Sequence, residues 1–150
     1  MKKLEFMSKF KPETRCIKEF KYWIVCIREK QVNLGSSVIL LKRETPSVAN
    51  ILPDEAAEFP EVVKWFEGVC TKKFNAVKFN YLIMMMKDLY VHYHAIPRYD
   101  NEIEMFGRVW EDTNTLKGFG TVESLDEELL MKIKERSEEH TSELQSQANI

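Results

Sequence analysis

The chain has 150 residues, 44% apolar and 11% aromatic, which is the length of one domain with ample material for a core and excludes a disordered chain. Its formal net charge of −2 arises from 22 basic and 24 acidic side chains without a single-sign block, which argues against general binding to nucleic acid or a membrane surface. No apolar run approaches membrane-spanning length, and Glu5, Lys9 and Lys11 interrupt any leader-like segment after Met1-Lys2-Lys3, so a cytoplasmic protein is expected.

Residues 2–20 are mixed in charge and read as short helix or coil, an N-terminal extension over 1–21. Lys21 to Arg28, K-Y-W-I-V-C-I-R, is rich in β-branched and aromatic residues and predicts a strand. Glu29 to Gly35 reads as a turn, and Ser37 to Lys42 as the partner strand. From Leu52-Pro53-Asp54 the period becomes helical, with Phe59, Val62, Val63, Phe66, Val69, Cys70 and Phe74 at three- and four-residue spacing. Proline is not expected inside a regular helix, so a short turn over 54–59 should precede a main helix from Pro60. Lys78 to Met86 predicts a third strand, joined through Lys87-Asp88 to a fourth, and so short a connection implies an antiparallel hairpin.

Beyond Pro97, Phe106 to Asp112 reads as an edge strand or a flap. Ser124 and Glu127 have the spacing of an N-cap and its capping-box partner, opening a helix through Leu129, Leu130 and Ile133. The order strand, strand, helix, strand, strand, helix predicts an α+β domain over 22–135, an antiparallel sheet with one main helix between its second and third strands and a C-terminal helix. The remaining tail, 136–150, begins R-S-E-E-H-T-S-E-L-Q-S and matches the in-frame translation of a common sequencing adapter, with Gln147-Ala148-Asn149 as its barcode. It is set aside from functional reasoning, and the natural sequence is expected to break off near Glu135. A natural polar tail is the other reading. Cys16, Cys26 and Cys70 have no C-x-x-C spacing and lie in apolar neighbourhoods, which predicts buried free thiols in a reducing compartment.

The most informative dozen residues are Asp88 to Tyr99, D-L-Y-V-H-Y-H-A-I-P-R-Y. His92 and His94 lie at i, i+2 in an alternating run, so on a strand they share one face while Val91, Tyr93 and Ala95 take the other. Two polar side chains on a half-buried strand are the plain reading, weakened because both rings would need partners. A metal site needs a third ligand; the remaining histidine lies in the tail and the cysteines in apolar runs, so no metal and no cofactor is expected.

Tyr90-Val91-His92-Tyr93-His94-Ala95-Ile96 resembles the active-site strand of the histidine-triad family, H-φ-H-φ-H-φ-φ, at every position but the first, where Tyr90 stands for histidine. Pro97-Arg98-Tyr99 is similar to the branch that hydrolyses dinucleoside polyphosphates. W-I-V-C-I-R with Gln31, then L-G-S-S-V-I-L-L-K-R, the helix and F-N-Y-L-I-M-M-M follow the family's order from about Tyr22 to Asp112. The resemblance implies nucleotidyl transfer through a covalent phosphohistidine. His92 would attack the α-phosphorus, and His94 would contact the phosphate and help the leaving group depart. It also implies a nucleotide substrate, no protein-bound metal, and a homodimer, for which Phe59, Trp65, Phe66 and Phe74 offer large apolar side chains. A degenerate member that binds nucleotides or a partner protein without turnover is the alternative.

The chain departs from the family's pattern at several positions. Tyr90 removes the first histidine, although its backbone carbonyl can still hold the tautomer of His92. Gly35 is followed by Ser36 and Ser37 instead of histidine. The Gly-rich loop before the triad is absent, which leaves Lys87 as a candidate phosphate contact. Arg28 occupies the ribose-binding position. With Asn80, Arg98, Ser36 and Tyr90, these complete the candidate nucleotide- and phosphate-binding set. Met84-Met85-Met86 reads as core, and Trp110 with Asp112 as either a flap over the nucleotide or ordinary packing. The Tyr90 hydroxyl is expected within hydrogen-bond reach of Ser36 or Ser37.

Overall fold

The computed structural model describes residues 7–85, 88–113 and 124–148, the side chains of the last helix only as far as Glu138. A four-residue helix α1 (Pro12–Arg15) leads into β1 (Cys16–Glu19), followed by β2 (Trp23–Ile27) and β3 (Ser37–Leu41). A 3₁₀ turn (Val48–Asn50) precedes the long helix α2 (Pro53–Phe74). Strands β4 (Lys78–Leu82), β5 (His92–Arg98), β6 (Ile103–Met105) and β7 (Arg108–Trp110) come next, and α3 (Glu127–Ala148) follows. The main sheet is antiparallel throughout with strand order β1-β2-β3-β5-β4, and β6-β7 form a separate hairpin. The predicted α+β architecture is therefore the observed one. No helix among the described residues is long and apolar enough to cross a membrane.

One face of the sheet is covered by helices. Trp23, Val25, Ile27, Ile39, Leu41, Val91 and Ala95 pack there with Val62, Phe66, Cys70 and Phe74 of α2 and Leu130 and Ile133 of α3. Phe66 and Phe74 are fully buried within the monomer, and Phe59 and Trp65 lean on the same core. Phe66 and Phe74 are thus internal packing and offer nothing to a second subunit. Each fully buried phenylalanine contributes about 2–3 kcal/mol.

Helix α2 begins earlier than Pro60. Pro53 occupies its first turn, and the Glu55 carboxylate accepts from the Leu52 N–H (2.8 Å), satisfying a donor the helix leaves open. Arg43 fixes the same carboxylate with two bonds of 2.9 Å. Pro60 then sits inside the helix on its exposed side, where water can satisfy the carbonyl of Ala56 that has lost its intrahelical donor. The helix ends at Asn75 in the left-handed region (φ 63°), and the Ala76 N–H returns to the Cys70 carbonyl.

Three further expectations are corrected. Cys16–Glu19, within the stretch read as helix or coil, is the edge strand β1, paired Cys16 to Cys26 and Glu19 to Ile24. The link between β4 and β5 is residues 83–91 and not a tight Lys87-Asp88 turn, because pairing begins at Leu82 and His94. At α3 it is Asp126, and not Ser124, that accepts from the helix, at the Leu129 N–H (2.8 Å).

The β2–β3 turn is held by Gln31. Its Nε2 donates to the carbonyls of Arg28 (2.7 Å) and Ser36 (2.6 Å), and its Oε1 accepts from the Gly35 N–H (2.8 Å). Gly35 has φ 88°, and a Cβ there would meet Cys70 and Phe74 at 3.4 Å, so glycine lets the turn close onto α2.

Candidate functional site

The opposite face of the sheet carries the histidines. Alternation along β5 places His92 and His94 there, and the register sets His92 beside Leu40 and His94 beside Val38. Ile24, Cys26, Val38 and Leu40 form a small apolar floor, onto which Met7, Phe10, Cys16 and Tyr90 pack. The His92 and His94 ring centroids lie 5.1 Å apart with planes at 79°.

Main-chain bonds determine how His92 is presented. The Val91 N–H donates to the Thr45 carbonyl (3.0 Å) and the Val91 carbonyl accepts from Leu41 (3.3 Å), anchoring the chain just before β5. The Tyr90 carbonyl oxygen then stands 2.7 Å from His92 Nδ1. A carbonyl can only accept, so Nδ1 carries the proton and the lone pair of the neutral ring resides on Nε2.

Burial lowers the pKa of His92 below its ordinary value, opposed by the bond to Tyr90 and the Asp88 carboxylate. Burial, helped by the charge of Arg28, brings His94 down to about 4. Both rings are neutral at pH 7. Arg28 follows β2 in the alternation of Ile24 and Cys26 and so lies on the histidine face. Burial pulls its guanidinium down to about 10, and its Nη1 donates to the Lys30 carbonyl (2.9 Å).

His92 is only 1% exposed. Phe10 lies over it with ring centroids 5.7 Å apart, and Lys9 Nζ bonds both Asp88 carboxylate oxygens at 2.9 and 2.7 Å. His92 is thus fully buried, not half-buried as the strand pattern alone suggests. Sequence reasoning also passed over Lys9, Phe10 and Asp88, whose only signal is that Met7 and Phe10 share a helical i, i+3 face.

The other candidates divide into separate groups. Arg98 donates to Asp112 (2.9 and 3.3 Å) and to Asn80 Oδ1 (2.8 Å), and Asp112 also accepts from the Tyr99 N–H (3.0 Å). Arg98 and Asn80 thus join in one polar knot at the far end of β5, about 13 Å along the strand from His94. Trp110 donates to the Met105 carbonyl (2.9 Å) under the Arg108 guanidinium. Ser36 exchanges bonds with Asn33 (2.7 and 3.1 Å), and the Ser37 hydroxyl donates to Gly35 O (2.9 Å). Ser37 stands opposite Ala95, whereas Tyr90 lies beyond the Leu40–His92 pair at the other end of β3, so the expected Tyr90–serine bond is overturned by the register. Lys87 lies outside the described residues. Among the described residues, no group of three or more His, Cys, Asp or Glu side chains is placed to hold a metal ion.

No protein-family model and no curated protein sequence matches the chain. Solved structures do. A hypothetical histidine triad nucleotide-binding protein of Sulfolobus tokodaii superposes with a TM-score of 0.71 at 17% identity, covering 93% of both chains. The fold is that of the histidine-triad proteins. A zinc-bound histidine triad family protein of Mycobacterium smegmatis gives 0.68 at 13% identity over 95% of each chain. A Hit-like protein of Bartonella henselae involved in cell-cycle regulation gives 0.68 at 13% over 91% of this chain and 94% of its own. In this chain Tyr90 stands two residues before His92, and its main-chain carbonyl meets the ring of His92.

Proposed function

We propose that this chain is a histidine-triad nucleotidyl hydrolase acting on dinucleoside polyphosphates or related nucleotide conjugates. The observation that carries this reading is the 2.7 Å bond from His92 Nδ1–H to the Tyr90 carbonyl, which leaves Nε2 as the nucleophilic atom of a neutral ring. Nε2 forms a bond to the α-phosphorus while the bridging P–O bond breaks and its electron pair leaves with the departing phosphate. His94, neutral and 5.1 Å away, donates an N–H hydrogen bond to that oxygen. Arg28, on the same face, offsets phosphate charge. Water then cleaves the N–P bond, releasing a nucleoside monophosphate and restoring His92. The first position of the strand motif supplies only its carbonyl, so Tyr90 serves there.

The test is incubation with a dinucleoside polyphosphate labelled at the α-phosphorus, followed by an alkaline detergent quench that preserves the acid-labile N–P bond. Label on the His92 peptide together with released monophosphate is expected. Neither appearing, with nucleotide still bound, would establish the second reading, a nucleotide-binding protein without turnover, which the cover over His92 favours. The protein is further taken as a cytoplasmic homodimer. The free thiols fit the compartment, and the outer edge of β4, flanked by exposed Val77, Ile83 and Met84, is the surface that a second copy would cover. A monomer in sedimentation at micromolar concentration would refute the dimer.

A further inference from the structure

We propose that residues 7–10 are a lid over His92, latched by Lys9 to Asp88, and that reagents and substrates reach the imidazole only when this segment lifts. Four observations place the lid. His92 is 1% exposed although it lies on the sheet face that no helix of the core covers. The cover is supplied by Phe10, 5.7 Å from its ring, and by Met7 on the same apolar floor. Lys9 grips both Asp88 oxygens in the bend that precedes β5, so the segment is fastened beside the residue it hides. Next to it, Lys11 has φ 46° and ψ 55°, a left-handed conformation costly for a side-chain-bearing residue and more so before a proline. Strain at a joint of this kind is relieved when the joint turns.

The parts divide the work. Phe10 excludes water from a ring whose lone pair must meet phosphorus. Lys9–Asp88 is an ion pair with one partner half exposed, so it holds weakly and yields to salt or to a competing anion. The lid goes beyond the proposed hydrolysis, since it governs access to His92 whatever chemistry follows.

The test is carbethoxylation of the full-length protein by diethyl pyrocarbonate, with the His92 peptide followed by mass spectrometry. Nε2 attacks one carbonyl of the reagent, a C–O bond breaks, and the ethyl carbonate released takes the Nδ1 proton and decomposes to ethanol and carbon dioxide. Wild type should react far more slowly at His92 than N-acetylhistidine does. Lys9→Met should speed the reaction about two- to fivefold, the range for an ion pair of this exposure, and Phe10→Ala about tenfold or more through lost apolar burial. Roughly 0.5 M salt should speed wild type and leave Lys9→Met unchanged. A wild-type rate equal to that of N-acetylhistidine, or a Lys9→Met rate equal to wild type at low salt, overturns the lid. Lys9 is a half-exposed side chain, so that variant decides the matter even if Phe10→Ala fails to fold. Absence of phosphohistidine labelling with these rates as expected would overturn the hydrolase reading and uphold the lid.

Discussion

His92 and Tyr90 are joined through the main chain, the imidazole Nδ1–H donating to the Tyr90 carbonyl oxygen at 2.7 Å. The bond does not depend on the side chain two residues upstream, because every residue brings the same carbonyl. Tyr90→Phe should therefore keep phosphohistidine formation within about threefold of wild type, far from the roughly 10²-fold cost of losing a donor to the transition state. Pre-steady-state labelling measures this directly. A loss of 100-fold or more would mean that the phenol, and not the carbonyl, orients the ring.

The proposed hydrolysis gives His92 and His94 separable roles. His92→Asn should abolish covalent labelling, since no atom remains to form the N–P bond. His94→Ala should leave a labelled protein but slow its appearance by about 10²–10³. Equal, small losses in the two variants would remove His92 from the role of nucleophile.

Local alternation made the face of His92 readable, and β-branched density made β2 and β3 readable, because both signals act over a few residues. What covers that face was not readable. Phe10 reaches His92 across most of the domain, and nothing in M-S-K-F marks a partner so far along the chain. β1 escaped for a related reason: Cys16-Ile17-Lys18-Glu19 is too short and too charged to register as a strand, and it forms because β2 offers an open edge. The Tyr90–serine bond failed on register. Periodicity says which side chains share a face but not which ends of two strands meet, and antiparallel pairing of Ser37 with Ala95 sends Tyr90 to the opposite end. Placing Pro60 at the head of α2 fails because its ring lies on the exposed side of the helix, where water can serve the Ala56 carbonyl.

The histidines also fix a pH dependence. A ring held below its ordinary pKa stays neutral in the fold while the unfolded chain takes up a proton, so stability is whole above about pH 6.5 and declines below it. For His94, held at about 4, the decline should run from about 6.5 to 4 and total on the order of 3 kcal/mol. His94→Asn should flatten this part of the curve in urea titrations. Arg28→Met should raise the His94 pKa, as followed by NMR, since it removes a cation that opposes protonation. If His92 is the nucleophile, the acid limb of its labelling should likewise lie below pH 6.5, because burial keeps the ring neutral there. A limb at or above 6.5 would contradict the burial.

The Arg98–Asp112 pair carries the clearest stability prediction. Its side chains are 9% and 4% exposed, so each charge depends on the other for what water no longer supplies. Asp112→Asn keeps the shape but leaves the guanidinium without its counter-charge, and it also weakens the acceptor for the Tyr99 N–H. The expected cost is about 3–5 kcal/mol, read from the urea midpoint. Replacing both partners, Arg98→Met with Asp112→Leu, should recover much of that loss, because no isolated charge is then left buried. The same double variant separates a fastening role from a substrate role. Arg98 lies at the far end of β5 from His94 and is already engaged by Asp112 and Asn80. If it fastens the β6–β7 hairpin to the sheet, KM for the nucleotide should change less than about threefold in the double variant, whereas a rise of tenfold or more would make Arg98 a phosphate ligand, as a contact to a charged group is worth about 1.5–3 kcal/mol.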